Sequence, residues 1–252
     1  MRFGPPETPL IIKRLMIANL VVFIAQLFAP DFFEMFAVQP TAVWQGGYIW
    51  QPFTYMWLHG GFAHIAMNCF ALWMFGSELA MLWGPRQFLR FYLVCGIGAG
   101  FIIASWPFVM LLLPEADNNA LELFTLGASG SVYGVVLAYS LTWPDRTLML
   151  IFPPVAFRAV WLIPALFIMT LVTSGSESGI SHVGHLGGVL VGWLYLRRRG
   201  VTGELLSSSA PRRRRTSNII KRRWRRYRMR TKLRAVDTEE SPPEEAQQRR
   251  KK

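Results

Sequence analysis

Apolar residues in this chain run on almost without interruption, instead of recurring on one face at helical spacing. Between Leu15 and Leu196 the only basic residues are Arg86, Arg90, Arg146 and Arg158. That leaves several stretches of roughly twenty residues, the length that crosses a hydrocarbon core of about 30 Å. The pattern predicts an all-α membrane protein with six transmembrane helices, near residues 12–29, 62–83, 88–113, 129–143, 155–173 and 180–196. Glycine and proline punctuate the joins at Pro30, Gly46-Gly47, Gly84-Pro85, Pro114, Pro144, Pro153-Pro154 and Gly175. Pro164 falls inside the fifth range, where a membrane helix tolerates it. Three regions follow: a short segment 1–11, a six-span domain 12–196, and a tail 197–252. The first span is expected to stay as an anchor, because no small-residue cleavage site follows it.

Charge changes the picture only once it is divided by position. The formal net charge of +12 is −2 over residues 1–196 and +14 over 197–252, so the basicity belongs to the tail. Lys13 and Arg14, Arg86 and Arg90, Arg146 and Arg158, and Arg197 to Arg199 fall in alternate connections. The intervening loops carry Asp31, Glu34, Glu115, Asp117, Glu122 and Glu177 instead. Basic residues are retained on the cytoplasmic side, which predicts six spans with both termini in the cytoplasm. Cys69 and Cys95 lie inside apolar runs and read as small buried hydrophobes, without a disulfide.

Orientation then assigns a depth to each polar group. His64 and Asn68 follow the entry of the second span from outside, Ser129 opens the fourth, and His185 lies in the first turns of the sixth, so all four sit toward the outer leaflet. The fourth span is short: roughly 15 residues, about 22 Å at about 1.5 Å per residue. Anchored on the cytoplasmic side by Pro144-Asp145-Arg146, it is predicted to be sunken below the outer surface. The stretch LGASGSVYG, residues 126–134, is where a loop becomes that helix. Gly127 and Gly130 permit a tight turn and close backbone approach, and the unpaired N–H groups of the first turn are tolerable at that depth only beside protein or a wet cavity.

Helical spacing sorts the neighbours. His64 and Asn68 are four apart, as are Ser129 and Tyr133; Gly184, Gly188 and Gly192 form a ridge that lets another helix come close, with His185 beside it. If the partner is the fourth span, the Ser129 hydroxyl and the His185 imidazole come within reach, the arrangement an activated nucleophile needs. Tyr133 then stacks on His185 or simply packs. A plainer reading suits Ser131, a serine bonded to a carbonyl one turn back, and also His59 and His182, which are flanked by loop residues. Trp and Phe residues around 44–57 read as an interfacial belt. The four histidines, His59, His64, His182 and His185, raise the alternative of a metal or ion transporter, but no HExxH and no carboxylate at ligand spacing accompanies them. No metal and no cofactor is predicted.

With these residues in place the sequence resembles the rhomboid intramembrane serine proteases, over roughly residues 10–200. The elements that carry the likeness are WQPFTYMWLHGGFAHIAMNCFALWMFG, GASGSVYG and GISHVGHLGG, and WGPRQFLRFYLVCGIGAG is similar to bacterial members. The resemblance implies that Ser129 is the nucleophile and His185 the general base, without a third carboxylate. It makes His64 and Asn68, with the Ser129 amide, the oxyanion donors, Tyr133 the residue packed on the base, and Gly188 and Gly192 close-packing glycines. Gln51 stands where some members have arginine, which bears on how the first external loop is anchored. The implied reaction is hydrolysis of a peptide bond in or next to a transmembrane segment of a membrane-protein substrate, at a site opening to the outer face of a bacterial inner membrane. The fifth span and the loop after it are expected to gate entry. The tail, with Trp224 and Tyr227 among its arginines, is expected to meet anionic lipid headgroups, and no nucleic-acid reader is present. Residues 237–252 read as disordered.

Overall fold

The computed structural model describes residues 4–113, 118–149, 156–173 and 179–198, and within them the regular elements are helices apart from one small hairpin. Helix α1, Leu10–Phe28, buries one stripe, Ile12, Leu15, Asn19 and Phe23. Its other faces expose Ile17, Leu20, Val21, Ile24 and Leu27. An outer surface as apolar as the buried one belongs in lipid. Three short helices follow, α2 (Pro30–Glu34), α3 (Pro40–Trp44) and α4 (Gln51–Thr54), each with a proline in its first turn. The helical run Phe62–Trp83 consists of α5 (Phe62–Ala71), a π-helical stretch (Leu72–Gly76) and α6 (Ser77–Trp83). Gly84, at φ +84°, turns the chain, and Pro85 opens α7, Pro85–Met110. Proline's fixed φ suits a first helical position, which is why α7 begins ahead of the expected residue 88. Leu10–Phe28, Phe62–Trp83 and Pro85–Met110 are each long and apolar enough to cross a membrane.

Helix α8, Ser129–Thr142, buries 10 of its 14 residues; it lies at the centre, against α7 and against α10, Gly179–Arg198. Small residues make this possible. A side chain at Gly134 would meet Cys95 Sγ, and one at Gly192 would press on the Gly134 Cα. Both cysteines are free. Ser131 departs from the expected bond to its own helix: its hydroxyl donates to the Tyr92 carbonyl on α7 at 2.8 Å. Gly96 leaves the room, since a Cβ there would lie 2.3 Å from Ser131 Oγ. Ser140 and Thr142 are the residues that bond one turn back, to Val136 and Ala138.

The expected fifth helix is shorter than 155–173. Residues Thr147–Met149 and Ala156–Arg158 pair as an antiparallel hairpin, β1 and β2, and α9 covers only Leu162–Thr173. The N–H of Ala159 donates to the Arg146 carbonyl and that of Val160 to Pro144, so these donors are already committed when the helix begins. Pro164 lands in the first turn of α9, where a missing N–H is harmless. Arg146 pairs with Glu78 on α6 and Arg158 with Asp145, tying the hairpin to both ends of its neighbours. The loop after α9 and the tail beyond residue 198, to which gating and lipid contact were ascribed, lie outside the described residues.

The loop between α1 and α5 is anchored through Gln51. Buried Gln51 accepts from the Gln39 N–H through Oε1 at 3.0 Å and donates from Nε2 to the Met35 carbonyl at 3.2 Å. Val38 and Thr125 exchange backbone bonds of 2.9 and 2.8 Å, and Glu122 accepts from Gln39 Nε2 and the Thr41 hydroxyl. The loop is thereby fastened to the strand-like segment that enters α8. Trp44, Trp50 and Phe53 are exposed, as an interfacial belt requires, whereas Tyr55 and Met56 are buried.

Candidate active site

The site begins at the entry to α8. Gly127 has φ +132°, a conformation that disfavours any side chain, and its N–H donates to the Tyr55 carbonyl at 3.0 Å. A Cβ at Gly127 would lie 2.7 Å from His64 Cε1, 2.8 Å from His64 Nε2 and 3.8 Å from Ser129 Oγ. The imidazole of His64 and the hydroxyl of Ser129 therefore flank the same bare backbone. Ser129, the first residue of α8, is partly exposed, at a helix end where N–H groups are free to donate.

His64 has a defined donor. The Gly60 N–H donates to its Nδ1 at 3.4 Å, which makes Nδ1 the acceptor and places the ring proton on Nε2, the atom beside Gly127. Buried Asn68, one turn further along α5, donates from Nδ2 to the His64 carbonyl at 3.0 Å. It has a second N–H on the same nitrogen. The two side chains thus share the α5 face turned toward the start of α8.

The α8–α10 contact sets the turns that carry Ser129 and His185 side by side. A Cβ at Gly188 would fall 1.9 Å from the Gly130 carbonyl oxygen, so the two backbones touch there. Gly130 follows Ser129, and Gly188 lies one turn after His185. On the same pair of helices the Tyr133 and His185 rings stack at 4.2 Å with planes 6° apart, while the Tyr133 hydroxyl donates to the Leu166 carbonyl on α9 at 3.2 Å. His185 is 6% exposed, with Nδ1 unbonded among the described residues. The ridge expected from Gly184, Gly188 and Gly192 is divided: Gly188 faces α8, a side chain at Gly184 would strike Ile103 on α7, and one at Gly192 would meet both Cys95 of α7 and Gly134 of α8.

Two residues at the site were not singled out from the sequence. Tyr55 holds the Gly127 turn through its carbonyl, and its hydroxyl donates to Gly96 on α7 at 2.8 Å. Its only sequence signal is its place just ahead of the histidine motif, which the aromatic composition of the loop conceals. Gly96 is the other, one of a run of small residues in CGIGAG. His182 sits edge-on at 6.5 Å from His185 and 6.3 Å from Phe167. Among the described residues no group of three or more His, Cys, Asp or Glu side chains is arranged to hold a metal ion.

His59, in the turn before α5, is 1% exposed, and neither ring nitrogen has a well-aligned partner among the described residues. Its ring meets His64 edge-on at 5.1 Å. Burial, and after it the neighbouring His64, lowers its pKa to about 4, against a weaker opposite pull from the Trp57 carbonyl. A histidine neutral in the fold and chargeable when unfolded contributes its full stability above its ordinary pKa of about 6.5; that contribution is lost as the pH falls from there toward 4. His59→Phe is expected to flatten this interval of a melting-temperature profile recorded in detergent. An unaltered acid slope would assign the sensitivity to another group.

The Rhomboid domain family matches residues 46–199. Rhomboid protease AarA of Providencia stuartii is 28% identical over 146 residues, covering 55% of this chain and 52% of its own. Rhomboid protein 1, mitochondrial, of Saccharomyces cerevisiae is 30% identical over 142 residues, 54% of this chain and 38% of its own. Rhomboid protease GluP of Bacillus subtilis is 29% identical over 174 residues, 64% and 29%. The chain therefore spans about half or less of the length of these relatives, which come from bacteria and from a mitochondrion. The matched residues hold every group just described except α1 and the N-terminal part of the loop it feeds, and on that ground the chain belongs to the rhomboid family.

Proposed function

We propose that this protein is an intramembrane serine endopeptidase that hydrolyses a peptide bond in or next to the transmembrane segment of membrane-protein substrates. The observation that carries this reading is the backbone contact of Gly130 with Gly188, which sets Ser129 and His185 on facing turns with Tyr133 stacked on the imidazole. In this mechanism the Ser129 hydroxyl attacks the scissile carbonyl carbon and passes its proton to His185. The imidazolium returns it to the leaving amine, and a water then attacks the acyl-enzyme by the same route. Charge that develops on the carbonyl oxygen is met by His64 Nε2–H, the free Asn68 N–H and the Ser129 amide. Gly127 leaves the space for that oxygen, and Gly188 with Gly192 sets the helix separation.

The reading includes the architecture of six spans over residues 12–196, with 1–11 and the basic tail 197–252 on the cytoplasmic side. Helix α8 spans only about 21 Å at about 1.5 Å per residue, so with Arg146 at the cytoplasmic face its first turn is sunken and the site opens outward. A bacterial inner membrane fits this orientation, and the tail meets anionic headgroups there. A substrate helix must unwind at the cut, since its carbonyls are otherwise held in its own hydrogen bonds.

The test is a fluorophosphonate probe applied to the purified chain in detergent. Labelling at Ser129, mapped by peptide mass spectrometry and lost in His185→Ala, is the expected result; an unlabelled but folded protein would reject the reading. Removing one oxyanion donor is worth about 10²–10³ in kcat in a soluble serine protease. His64→Ala and Asn68→Ala are each expected to lower kcat on a transmembrane substrate by about that factor with KM little changed. A change confined to KM would assign both residues to substrate binding.

A further inference from the structure

A hollow of about 500 Å³, with almost wholly apolar walls, is lined by α7, α8 and α10. Ile102 and Trp106 of α7, Leu137 of α8, and Leu186, Leu190 and Trp193 of α10 line it, Trp193 being the lining residue nearest the C-terminal end of α10. Along α10 the lining runs over residues 183–193, about 15 Å at about 1.5 Å per residue. That is half of a hydrocarbon core of about 30 Å, the depth of one leaflet. One end is cationic. Arg197 and Arg198 close the last turn of α10, and the Arg197 guanidinium lies over the Trp193 ring, 5.1 Å from its centroid. Cation–π contact with an aromatic at the hollow's edge holds that charge at its mouth. Around the start of α10, residues 174–181 contain Glu177 and neither lysine nor arginine. The hollow is thus about one leaflet long, apolar within and, among the described residues, cationic at the Arg197 end.

We propose that this hollow binds one acyl chain of an anionic phospholipid from the leaflet on the Arg197 side, with the phosphate paired to Arg197 and Arg198. The assignment rests on the reading of the chain as membrane-embedded, and not on its chemistry. Bulk lipid would fill any apolar surface without regard to headgroup; a hollow with a fixed cationic mouth selects by charge. Basic residues close to a membrane surface favour anionic lipid, and two of them at one mouth are expected to give a preference of roughly tenfold.

The experiment places the full chain in mixed vesicles of phosphatidylcholine and phosphatidylglycerol, in which one or the other carries a diazirine on its acyl chain, and maps photolabel by peptide mass spectrometry. Label from phosphatidylglycerol is expected on residues 102–106 and 183–193 at about ten times the yield from phosphatidylcholine. Arg197→Gln with Arg198→Gln is expected to equalise the two lipids. Leu190→Trp, which fills the hollow at an exposed position, is expected to remove label there while label on residues 199–252 persists. Equal labelling of the unmodified chain by both lipids would overturn the proposal, as would anionic label indifferent to Leu190→Trp, or a hollow that stays unlabelled because a second copy covers it. No substrate is present, so a chain that labels as expected but cleaves nothing would count against the proposed hydrolysis alone.

Discussion

Ser129→Ala is expected to abolish hydrolysis of a transmembrane substrate, with a loss of at least about 10⁴-fold in kcat, and His185→Ala to match it. Nucleophile and base act as a unit, so removing either removes the covalent route. In a soluble serine protease the loss of one such member costs nearly as much as the loss of all. The double variant is accordingly expected to be no slower than either single one. The structure makes the serine result clean. Ser129 sits partly exposed in the first turn of α8, its neighbours Gly130 and Ala128 make the packing contacts, and alanine favours a helix more than serine does. Melting temperature should hardly move. The measurement is a rate of product formation with purified enzyme and a substrate of one transmembrane segment in proteoliposomes. Residual cleavage within tenfold of the unmodified enzyme would rule out Ser129 as the nucleophile.

Gly188→Ala is the second large effect, and it acts without touching a chemical group. The added carbon would lie 1.9 Å from the Gly130 carbonyl oxygen and 2.7 and 2.9 Å from its carbonyl carbon and Cα, all backbone atoms. Backbone cannot rotate aside, so α8 and α10 must separate at the level of Ser129 and His185. A misplacement of about 1 Å can lower a rate about 10²-fold, and overpacking of this kind costs about 1–3 kcal/mol. The expected outcome is a kcat reduced about 10²-fold or more, together with a lower melting temperature and weaker fluorophosphonate labelling of an unaltered Ser129. Gly61→Ala is the control, since nothing lies within 4 Å of a Cβ there. Full activity in Gly188→Ala would mean that the helices give way without disturbing the site.

The α5 side of the site is a pattern in the sequence itself: His64 and Asn68 four apart on one helix, a glycine turn, and a serine at the head of a short apolar run. What could not be read was the bond that orients His64. The Gly60 N–H sets its tautomer, and a tautomer depends on a backbone direction that residue spacing does not encode. Ser131 shows the same limit from the other direction. The usual habit of serine in a helix predicts a bond one turn back, yet the absence of a side chain at Gly96 opened the Tyr92 carbonyl on α7. The fifth helix was overextended because apolar residues from 155 onward satisfy both a helix and a strand. Partners at Arg146 and Pro144, distant in that count, took the N–H groups of Ala159 and Val160.

The amino-acid order alone determined which stretches are apolar on every side and, the residues around 155–161 apart, helical, because the requirement is local: each backbone group must be bonded within its own segment when water is absent. It likewise determined which chemical groups stand at the ends of those stretches. Tertiary structure decided the rest. It divided the glycine ridge between α7 and α8, fastened the loop after α1 through the Gln51 amide, brought Tyr55 beneath the Gly127 turn, and placed a charged mouth on an apolar hollow. Each of these depends on which backbone approaches which, and such an approach is set by the sizes of side chains on helices far apart in the chain.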